Sequence, residues 1–119
     1  MKRIIIGITG ATGTIYGWRL MEMLRQEGDT EIHLVMSAAA KLTLKMEHDV
    51  DPDYINSLAH EVHSPGNIGA SISSGSFSSV GMIIAPCSIK TMSNIAMGNT
   101  GDLISRAADV ILKERRKLI

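Results

Sequence analysis

Residues 3–13, RIIIGITGATG, carry the strongest signal for the architecture of this chain. Residues 3–8 form a short β-branched run without polar alternation, which is typical of a strand covered on both faces. A glycine-rich turn follows directly, and a helix is expected to begin just after Gly13. Small residues here let backbone N–H groups approach an anion, and the hydroxyls of Thr9 and Thr12 favour phosphate as that anion. A tight turn that needs its glycines only for shape is the alternative interpretation.

Strand and helix signals alternate along the rest of the chain. Gly28 predicts the end of the first helix, and Ser37 and Asp102 are placed to cap later helices through their side-chain oxygens. The predicted elements after the first helix are a strand over 31–36, helices from 38 to about 47 and over 54–62, a serine- and glycine-rich loop over 63–79, a buried strand over 80–85, helices from about 88 to 97 and from 102 to about 116, and the start of a strand at 118–119. This alternation predicts an α/β fold, a doubly wound parallel sheet with a ligand site at the carboxyl ends of its strands. Residues 1–119 contain no internal repeat and no linker, so one domain is expected.

Composition excludes several classes of protein. Lys and Arg total 12, and Asp and Glu also total 12, so no overall positive charge favours nucleic acid binding. The single cysteine excludes an intrachain disulfide framework and a zinc site built from cysteines alone. The longest apolar run is far short of the roughly 20 residues of a membrane span. The first apolar run breaks at Gly7, so no secretory signal is expected and a reduced, cytoplasmic protein is predicted.

A second turn rich in hydroxyl groups follows the predicted strand 80–85. Ser88 begins a helix there, with Lys90 and Thr91 close behind it. Because the carboxyl ends of parallel strands meet at one edge of a sheet, both turns are expected to form one site. Capping of its own helix is the alternative role for Ser88. No motif places a histidine beside Cys87, so a small buried thiol is expected there rather than a nucleophile.

The first turn is also similar to the Thr-Gly-x-x-Gly start of the NAD(P)-dependent short-chain dehydrogenases. That class needs an acidic ribose ligand, or a basic replacement, near the end of the second strand, where this chain has Ser37. No Tyr-x-x-x-Lys pair occurs either, because Tyr16 and Tyr54 are each followed four residues later by leucine. A mononucleotide is therefore favoured over a dinucleotide, and a small NAD(P)-binding oxidoreductase is the less favoured alternative.

Charged and histidine side chains give weaker signals. Arg106 and Lys113 lie two turns apart on the predicted last helix and could clamp a phosphate, although the residues alone favour a solvated basic stripe. Glu47, taken alone, is an ordinary surface acid. His60 and His63 could meet a metal ion, but no convincing third ligand is apparent. Exposed or partly buried histidines and no metal site are therefore expected.

Five segments together resemble the UbiX-type flavin prenyltransferases. They are residues 7–13 (GITGATG), 35–37 (VMS), 71–77 (SISSGSF), 86–88 (PCS) and 106–114 (RAADVILKE). Each segment is short, but their common order along the whole chain is specific. The sequence PCSIKT at 86–91 is similar to the branch associated with hydroxyarylic or phenolic acid decarboxylases, whose members are often named as a subunit of those decarboxylases.

The resemblance implies a flavodoxin-like, three-layer αβα fold that binds FMN. It also implies transfer of a dimethylallyl group from dimethylallyl phosphate to reduced FMN without a metal, which makes the prenylated FMN used by UbiD-type aromatic acid decarboxylases. The residues that would hold FMN are Gly10, Ala11, Thr12, Ser37, Ser88, Ile89, Lys90 and Thr91. Glu47 and Ser88 would be catalytic residues near the reacting flavin, and Arg106 and Lys113 would bind the prenyl phosphate across a subunit interface.

Members of that family continue beyond the position equivalent to Ile119. Their next strand carries an Arg-Glu pair whose glutamate is an acid/base group, and later segments supply a tyrosine and a basic residue for phosphate. The resemblance therefore implies that these 119 residues are the N-terminal portion of such an enzyme. A catalytically impaired FMN-binding remnant is the alternative function. A homo-oligomer is expected, because a short sheet and methionine-rich helices would leave apolar surface uncovered in a monomer.

Overall fold

A computed structural model describes residues 1–119, and its five strands form one parallel sheet. The strands are β1 (Lys2–Ile8), β2 (Thr30–Met36), β3 (Glu61–His63), β4 (Gly81–Ile84) and β5 (Lys117–Leu118). The helices are α1 (Thr14–Glu27), α2 (Ala38–His48), α3 (Pro52–Leu58), α4 (Ile89–Met97) and α5 (Leu103–Lys113), with a 3-10 helix at Ser71–Ser73. None of these helices combines the length and the apolar character that crossing a membrane requires.

Helices cover both faces of the sheet, which confirms the predicted α/β class. On one face, Ile6, Leu34 and neighbouring side chains pack with α1, α2 and α3. On the other face, Ile5, Val35 and Met82 pack with α5 and the 3-10 helix. This division follows from the alternation of side chains along each strand.

The strand order places a crevice between β1 and β4. The order is β3-β2-β1-β4-β5, and without the short edge strand β3 it is the order of the doubly wound, flavodoxin-like fold. From β1 the chain first adds strands on one side and then returns to add β4 and β5 on the other. Ligands of such sheets bind at this reversal, outside the carboxyl ends of the strands.

Capping residues set the helix ends where the sequence predicts them. Gly13 (φ 101°) precedes α1 and Gly28 (φ 76°) ends it, and both backbones are left-handed, which glycine adopts without a Cβ clash. The side chains of Ser37, Ser88 and Asp102 each accept a hydrogen bond from the backbone N–H three residues further on. Each cap satisfies a helix N–H that has no intrahelical partner.

Two predicted helix ends are wrong. The helix predicted over 54–62 ends at Leu58, and residues 61–63 form the edge strand β3. Pairing with β2, which places Val62 beside Leu34, stabilises this strand, and a three-residue run is too short to show a strand pattern of its own. The last helix ends at Lys113 rather than near residue 116, because Arg115 adopts a left-handed backbone (φ 57°).

Candidate functional site

Thr9 joins the two turns that follow β1 and β4. Its hydroxyl donates a hydrogen bond to the Pro86 carbonyl at 2.6 Å and accepts one from the Ser88 N–H at 2.8 Å. The Ala85 N–H also donates to the Gly7 carbonyl at 2.9 Å. Both predicted turns therefore lie at one edge of the sheet, as expected. Because Thr9 is buried and its hydroxyl is committed to the second turn, the predicted role of that hydroxyl in holding phosphate is wrong.

A cavity of about 540 Å³ lies between the two turns. This volume is in the range of roughly 300–1,000 Å³ found for small-molecule sites. Its lining contains Thr9, Gly10, Ser37, Ala38, Ala39, Pro65, Ser88, Lys90, Thr91, Asn94, Asp102 and Ile104. Five of the predicted site residues are in this set, namely Gly10, Ser37, Ser88, Lys90 and Thr91. The N-termini of α2 and α4 both open at the cavity, where unpaired N–H groups favour an anion.

Gly10 allows the first turn to approach α2 closely. A Cβ at this position would lie 2.6 Å from the Cβ of Ala39, which is closer than real side chains come. The hydroxyl of Thr43, one turn along α2, donates to the Gly10 carbonyl at 3.2 Å. Position 10 therefore requires glycine, and the glycine brings the turn and the start of α2 into one wall of the cavity.

The serine and threonine hydroxyls at the cavity keep donor capacity for a ligand. Ser37 Oγ accepts from the Ala40 N–H at 3.0 Å, which leaves its own hydrogen available. Ser88 Oγ accepts from the Thr91 N–H at 3.2 Å and donates to Thr91 Oγ1 at 3.0 Å. The hydrogen of Thr91 is then available in turn. The predicted capping role of Ser88 is confirmed, and capping leaves this pair able to donate to an anion.

Glu47 binds the N-terminus of α1 instead of lining the cavity. Its carboxylate accepts hydrogen bonds from the Gly13 N–H and the Thr14 hydroxyl, both at 3.3 Å. A helix N-terminus attracts an anion, and at α1 that anion is this carboxylate. The N-terminus of α1, which the sequence predicts as a phosphate site, is therefore already bonded to a side chain. The helix ends that face the cavity are those of α2 and α4, together with the start of α5, whose cap Asp102 also lines it.

The remaining predicted site residues lie outside the cavity lining. Thr12 and Ile89 are exposed, and Ala11 is partly exposed. Arg106 and Lys113 are exposed on α5, and Lys113 Nζ lies 3.8 Å from Glu114 Oε1. Nothing within this chain brings the two basic side chains to the cavity.

Sequence reasoning misses six residues that line the cavity: Ala38, Ala39, Pro65, Asn94, Asp102 and Ile104. The sequence identifies Asp102 only as a cap, and its Oδ1 does accept the Ser105 N–H at 2.9 Å. Asp102 stands at the start of a helix that follows the second hydroxyl-bearing turn. This position is the signal that could have identified Asp102 as a cavity residue. Asn94, one turn after Lys90 on α4, could have been identified by helical spacing alone.

Two expectations about reactive side chains are wrong. His33 and His63 are buried, with exposed fractions of 2% and 7%, whereas the sequence predicts exposed or partly buried histidines. Cys87 is exposed rather than buried. Nearby groups still remove enough water from its thiol to raise the pKa of Cys87.

The model of the Flavoprotein family matches residues 1–119. The chain is 55% identical over 119 residues to flavin prenyltransferase UbiX of Escherichia coli K12. It is 52% identical over 119 residues to flavin prenyltransferase LpdB of Lactiplantibacillus plantarum. It spans 63% and 64% of the length of these two curated relatives. The predicted resemblance to the UbiX-type flavin prenyltransferases is confirmed.

Solved structures show the same likeness in three dimensions. AnUbiX (PadA1), crystallised with FMN and dimethylallyl pyrophosphate, matches with a TM-score of 0.96 and 48% identity over 98% of this chain and 62% of that chain. A dodecameric FMN-dependent Ubix-like decarboxylase from Escherichia coli O157:H7 matches with a TM-score of 0.95 and 46% identity over 98% of this chain and 63% of that chain. The flavodoxin-like fold expected from the resemblance is therefore confirmed.

Proposed function

Because this chain belongs to the Flavoprotein family, we propose that the cavity between its β1 and β4 turns binds FMN. The observation that carries this proposal is the joining of two hydroxyl-bearing turns, through Thr9, around one cavity. The hydroxyls of Ser37 and Thr91, the ammonium of Lys90 and two helix N-termini suit a phosphate group. The carboxylate of Asp102 can accept a hydrogen bond from a ligand hydroxyl. This donor and acceptor set fits a phosphorylated, hydroxyl-rich mononucleotide.

We further propose that the protein is a flavin prenyltransferase that transfers a dimethylallyl group from dimethylallyl phosphate to reduced FMN. Support comes from relatives with this name and from a similar structure that contains FMN with dimethylallyl pyrophosphate. Reduced FMN supplies the electron-rich ring that accepts the dimethylallyl group. The carbon–oxygen bond to phosphate breaks, and phosphate leaves with the electron pair. Groups that neutralise this charge accelerate the step without a metal.

Glu47 and Ser88 are the proposed catalytic residues. Glu47 is fixed by the Gly13 N–H and the Thr14 hydroxyl, so its carboxylate has a defined position beside the first turn. Ser88 is fixed through Thr91, so its hydroxyl can orient the flavin ring at the second turn.

Arg106 and Lys113 are the proposed ligands of the prenyl phosphate. Both are exposed, so they can enclose a phosphate only where another subunit closes over α5. This assignment therefore goes with a homo-oligomer, and a similar protein is described as dodecameric. We place the enzyme in the cytoplasm, where a UbiD-type decarboxylase would receive its product.

FMN binding is the first test, and it uses the full chain. Purified protein is expected to quench the fluorescence of added FMN and to melt at a higher temperature with it. Ser37→Ala is expected to weaken FMN binding by about 10–150-fold, since a hydrogen bond to a charged group contributes about 1.5–3 kcal/mol. Ser57→Ala, which removes an exposed hydroxyl on α3, is the matched control and should bind as the wild type does. A chain that neither quenches FMN nor shifts in melting temperature contradicts the proposal.

Turnover is the second test. The protein, reduced FMN and dimethylallyl phosphate are mixed without oxygen, and mass spectrometry and a phosphate assay follow the flavin and the leaving group. Prenylated flavin and phosphate in equal amounts are expected. FMN binding without either product supports the FMN-binding remnant, and displacement of FMN by NADPH supports the oxidoreductase alternative.

A further inference from the structure

Three side chains that can bind a metal ion converge at the edge of the sheet. His33 on β2 lies beside Glu61 on β3 in the parallel register, and His63 follows two residues later on the same strand. Residues two apart on a strand project from the same face, so all three side chains lie on one side of the sheet. The sequence pattern hid this group, because it paired His63 with His60 along the chain instead of with His33 across the strands.

The distances within this group suit one ion. His33 Nδ1 lies 3.1 Å from His63 Nε2 and 3.6 Å from Glu61 Oε2, and His63 Nε2 lies 4.0 Å from Glu61 Oε1. Ligand atoms at about 2.0–2.1 Å from a tetrahedral zinc ion are about 3.3 Å from one another. Glu61 contributes a different oxygen to each of its two distances, but one ligand atom from each residue can be chosen so that all three lie within 4.8 Å of one another. A rotation of the exposed Glu61 side chain would bring one of its oxygens to the same ion as the two histidines.

We propose that His33, His63 and Glu61 bind a divalent transition metal ion, with Zn²⁺ as the preferred occupant. Two imidazoles and one carboxylate form a nitrogen and oxygen set that zinc accepts, with a fourth position open to water. Magnesium and calcium prefer sites made of oxygen ligands alone. The third ligand that the sequence did not reveal comes from the neighbouring strand.

Glu31 gives His33 the arrangement that is typical of a metal-binding histidine. Its Oε1 lies 2.7 Å from His33 Nε2, so this nitrogen donates its N–H and leaves the lone pair of Nδ1 for the ion. Arg3 Nε lies 3.4 Å from the same Glu31 oxygen and holds the carboxylate in place.

The surroundings enclose the histidines but leave an entry path. The ring of Phe77 packs edge-on against His33 at 4.8 Å, and Arg116 donates to the Phe77 carbonyl at 2.8 Å, which fixes this part of the serine-rich loop. The side chain of Glu61 is 56% exposed, so an ion can enter from its side. None of these residues lines the cavity proposed for FMN, so metal binding and FMN binding can be tested separately.

Cobalt is the probe, because Co²⁺ bound at a tetrahedral nitrogen and oxygen site absorbs visible light strongly. The full chain is freed of metal with a chelator and then titrated with Co²⁺ alone. One Co²⁺ per chain with an intense visible band is expected, and added Zn²⁺ should abolish the band. If the folded wild-type chain gives no such band, the proposal is overturned. The contact between His33 and His63 is then a hydrogen bond and not part of a metal site.

Variants of exposed or partly exposed acids avoid the risk of misfolding that replacing a buried histidine carries. Glu61→Gln is expected to weaken Co²⁺ binding at least tenfold, and Glu31→Gln should weaken it about 10–100-fold through His33. His48→Gln, which removes an exposed imidazole elsewhere, is the matched control and should bind within twofold of the wild type. Equal Co²⁺ affinity of Glu61→Gln and the wild type overturns the site. The affinity for FMN should be the same in Glu61→Gln and in the wild type, whatever the result with Co²⁺.

Discussion

Helices α4 and α5 follow one another in the chain, yet they are attached to the sheet in different ways. α5 buries seven of its residues, which are Leu103, Ile104, Ser105, Ala107, Ala108, Val110 and Ile111. α4 buries none, although it is also rich in apolar side chains. Its Ile89, Met92 and Met97 are between 54% and 77% exposed. Burial of apolar area therefore holds α5, whereas α4 contributes only the partly buried Ile95 to the same core and needs a further attachment.

The first turn of α4 supplies that attachment. The Ser88 N–H donates to Thr9, and Ser88 caps the helix through the Thr91 N–H. The same turn presents Lys90 and Thr91 to the cavity. A helix fixed at one end by hydrogen bonds keeps most of its sides for a ligand and for another subunit, whereas the buried α5 keeps only the exposed face that carries Arg106 and Lys113. We infer that α5 anchors the sheet and offers one exposed face, whereas α4 is mainly a binding element, in line with the placement of ligand-binding segments among the less stable parts of proteins.

The largest expected difference between the two helices comes from truncating one isoleucine in each. Ile111→Ala in α5 removes a fully buried side chain and is expected to lower the free energy of unfolding by about 2–5 kcal/mol. Ile89→Ala in α4 removes an exposed one and should change it by less than about 0.5 kcal/mol. Urea unfolding measures both. Equal losses in the two variants would contradict the assignment of α5 alone to the core.

A smaller loss is expected when the hydrogen-bonded attachment of α4 is removed. Thr9→Val keeps the shape of the side chain but removes the hydroxyl that bonds the Pro86 carbonyl and the Ser88 N–H. The free energy of unfolding is expected to fall by about 1–3 kcal/mol. The Ser88 amide should also exchange its hydrogen faster. Thr12→Val, at an exposed position of the same turn, is the control and should leave both measurements unchanged. Unchanged amide exchange in Thr9→Val would show that α4 is held elsewhere.

The parts of the site that the sequence reveals are those that depend on neighbouring residues in the chain. Ser37, Ser88 and Asp102 cap helices within three residues of themselves, so their type and position predict their role. Gly10 belongs to a turn that a single strand and helix define. The doubly wound sheet is predictable for the same reason, because each strand, turn and helix signal is local.

The parts that the sequence does not reveal depend on contacts between distant residues. Thr9 meets partners 77 and 79 residues away, so its role in joining the turns has no local signal. His33 meets His63 only because β3 pairs with β2 in one register. The exposure of Cys87 likewise depends on which distant residues, among them Leu118, lie beside the second turn.

The single cysteine reports on the apolar side of α4. Cys87 lies in a groove with Ile84, Met92 and Leu118, and loss of water there raises the pKa of its thiol. Since the thiolate is the reactive form, a disulfide reagent at pH 7 should label the folded chain several-fold more slowly than the urea-unfolded chain. The rate should rise with pH until the raised pKa is passed. Equal rates for folded and unfolded chains at pH 7 would contradict this and show that the groove does not shield the thiol.

The smallest effect on folding is expected for the exposed methionines of α4. Met92→Gln with Met97→Gln should change the free energy of unfolding by less than about 0.5 kcal/mol, because both side chains are exposed and glutamine has a similar helix propensity. Met21→Gln in α1, where the side chain is fully buried, is the matched control and should be strongly destabilising. Sedimentation velocity should show a smaller assembly for the double variant, since the proposed homo-oligomer needs an apolar surface and α4 offers one. If the double variant assembles as the wild type does, the subunit contact does not involve α4. Ligand binding at the cavity would then be the remaining explanation for the exposed position of α4.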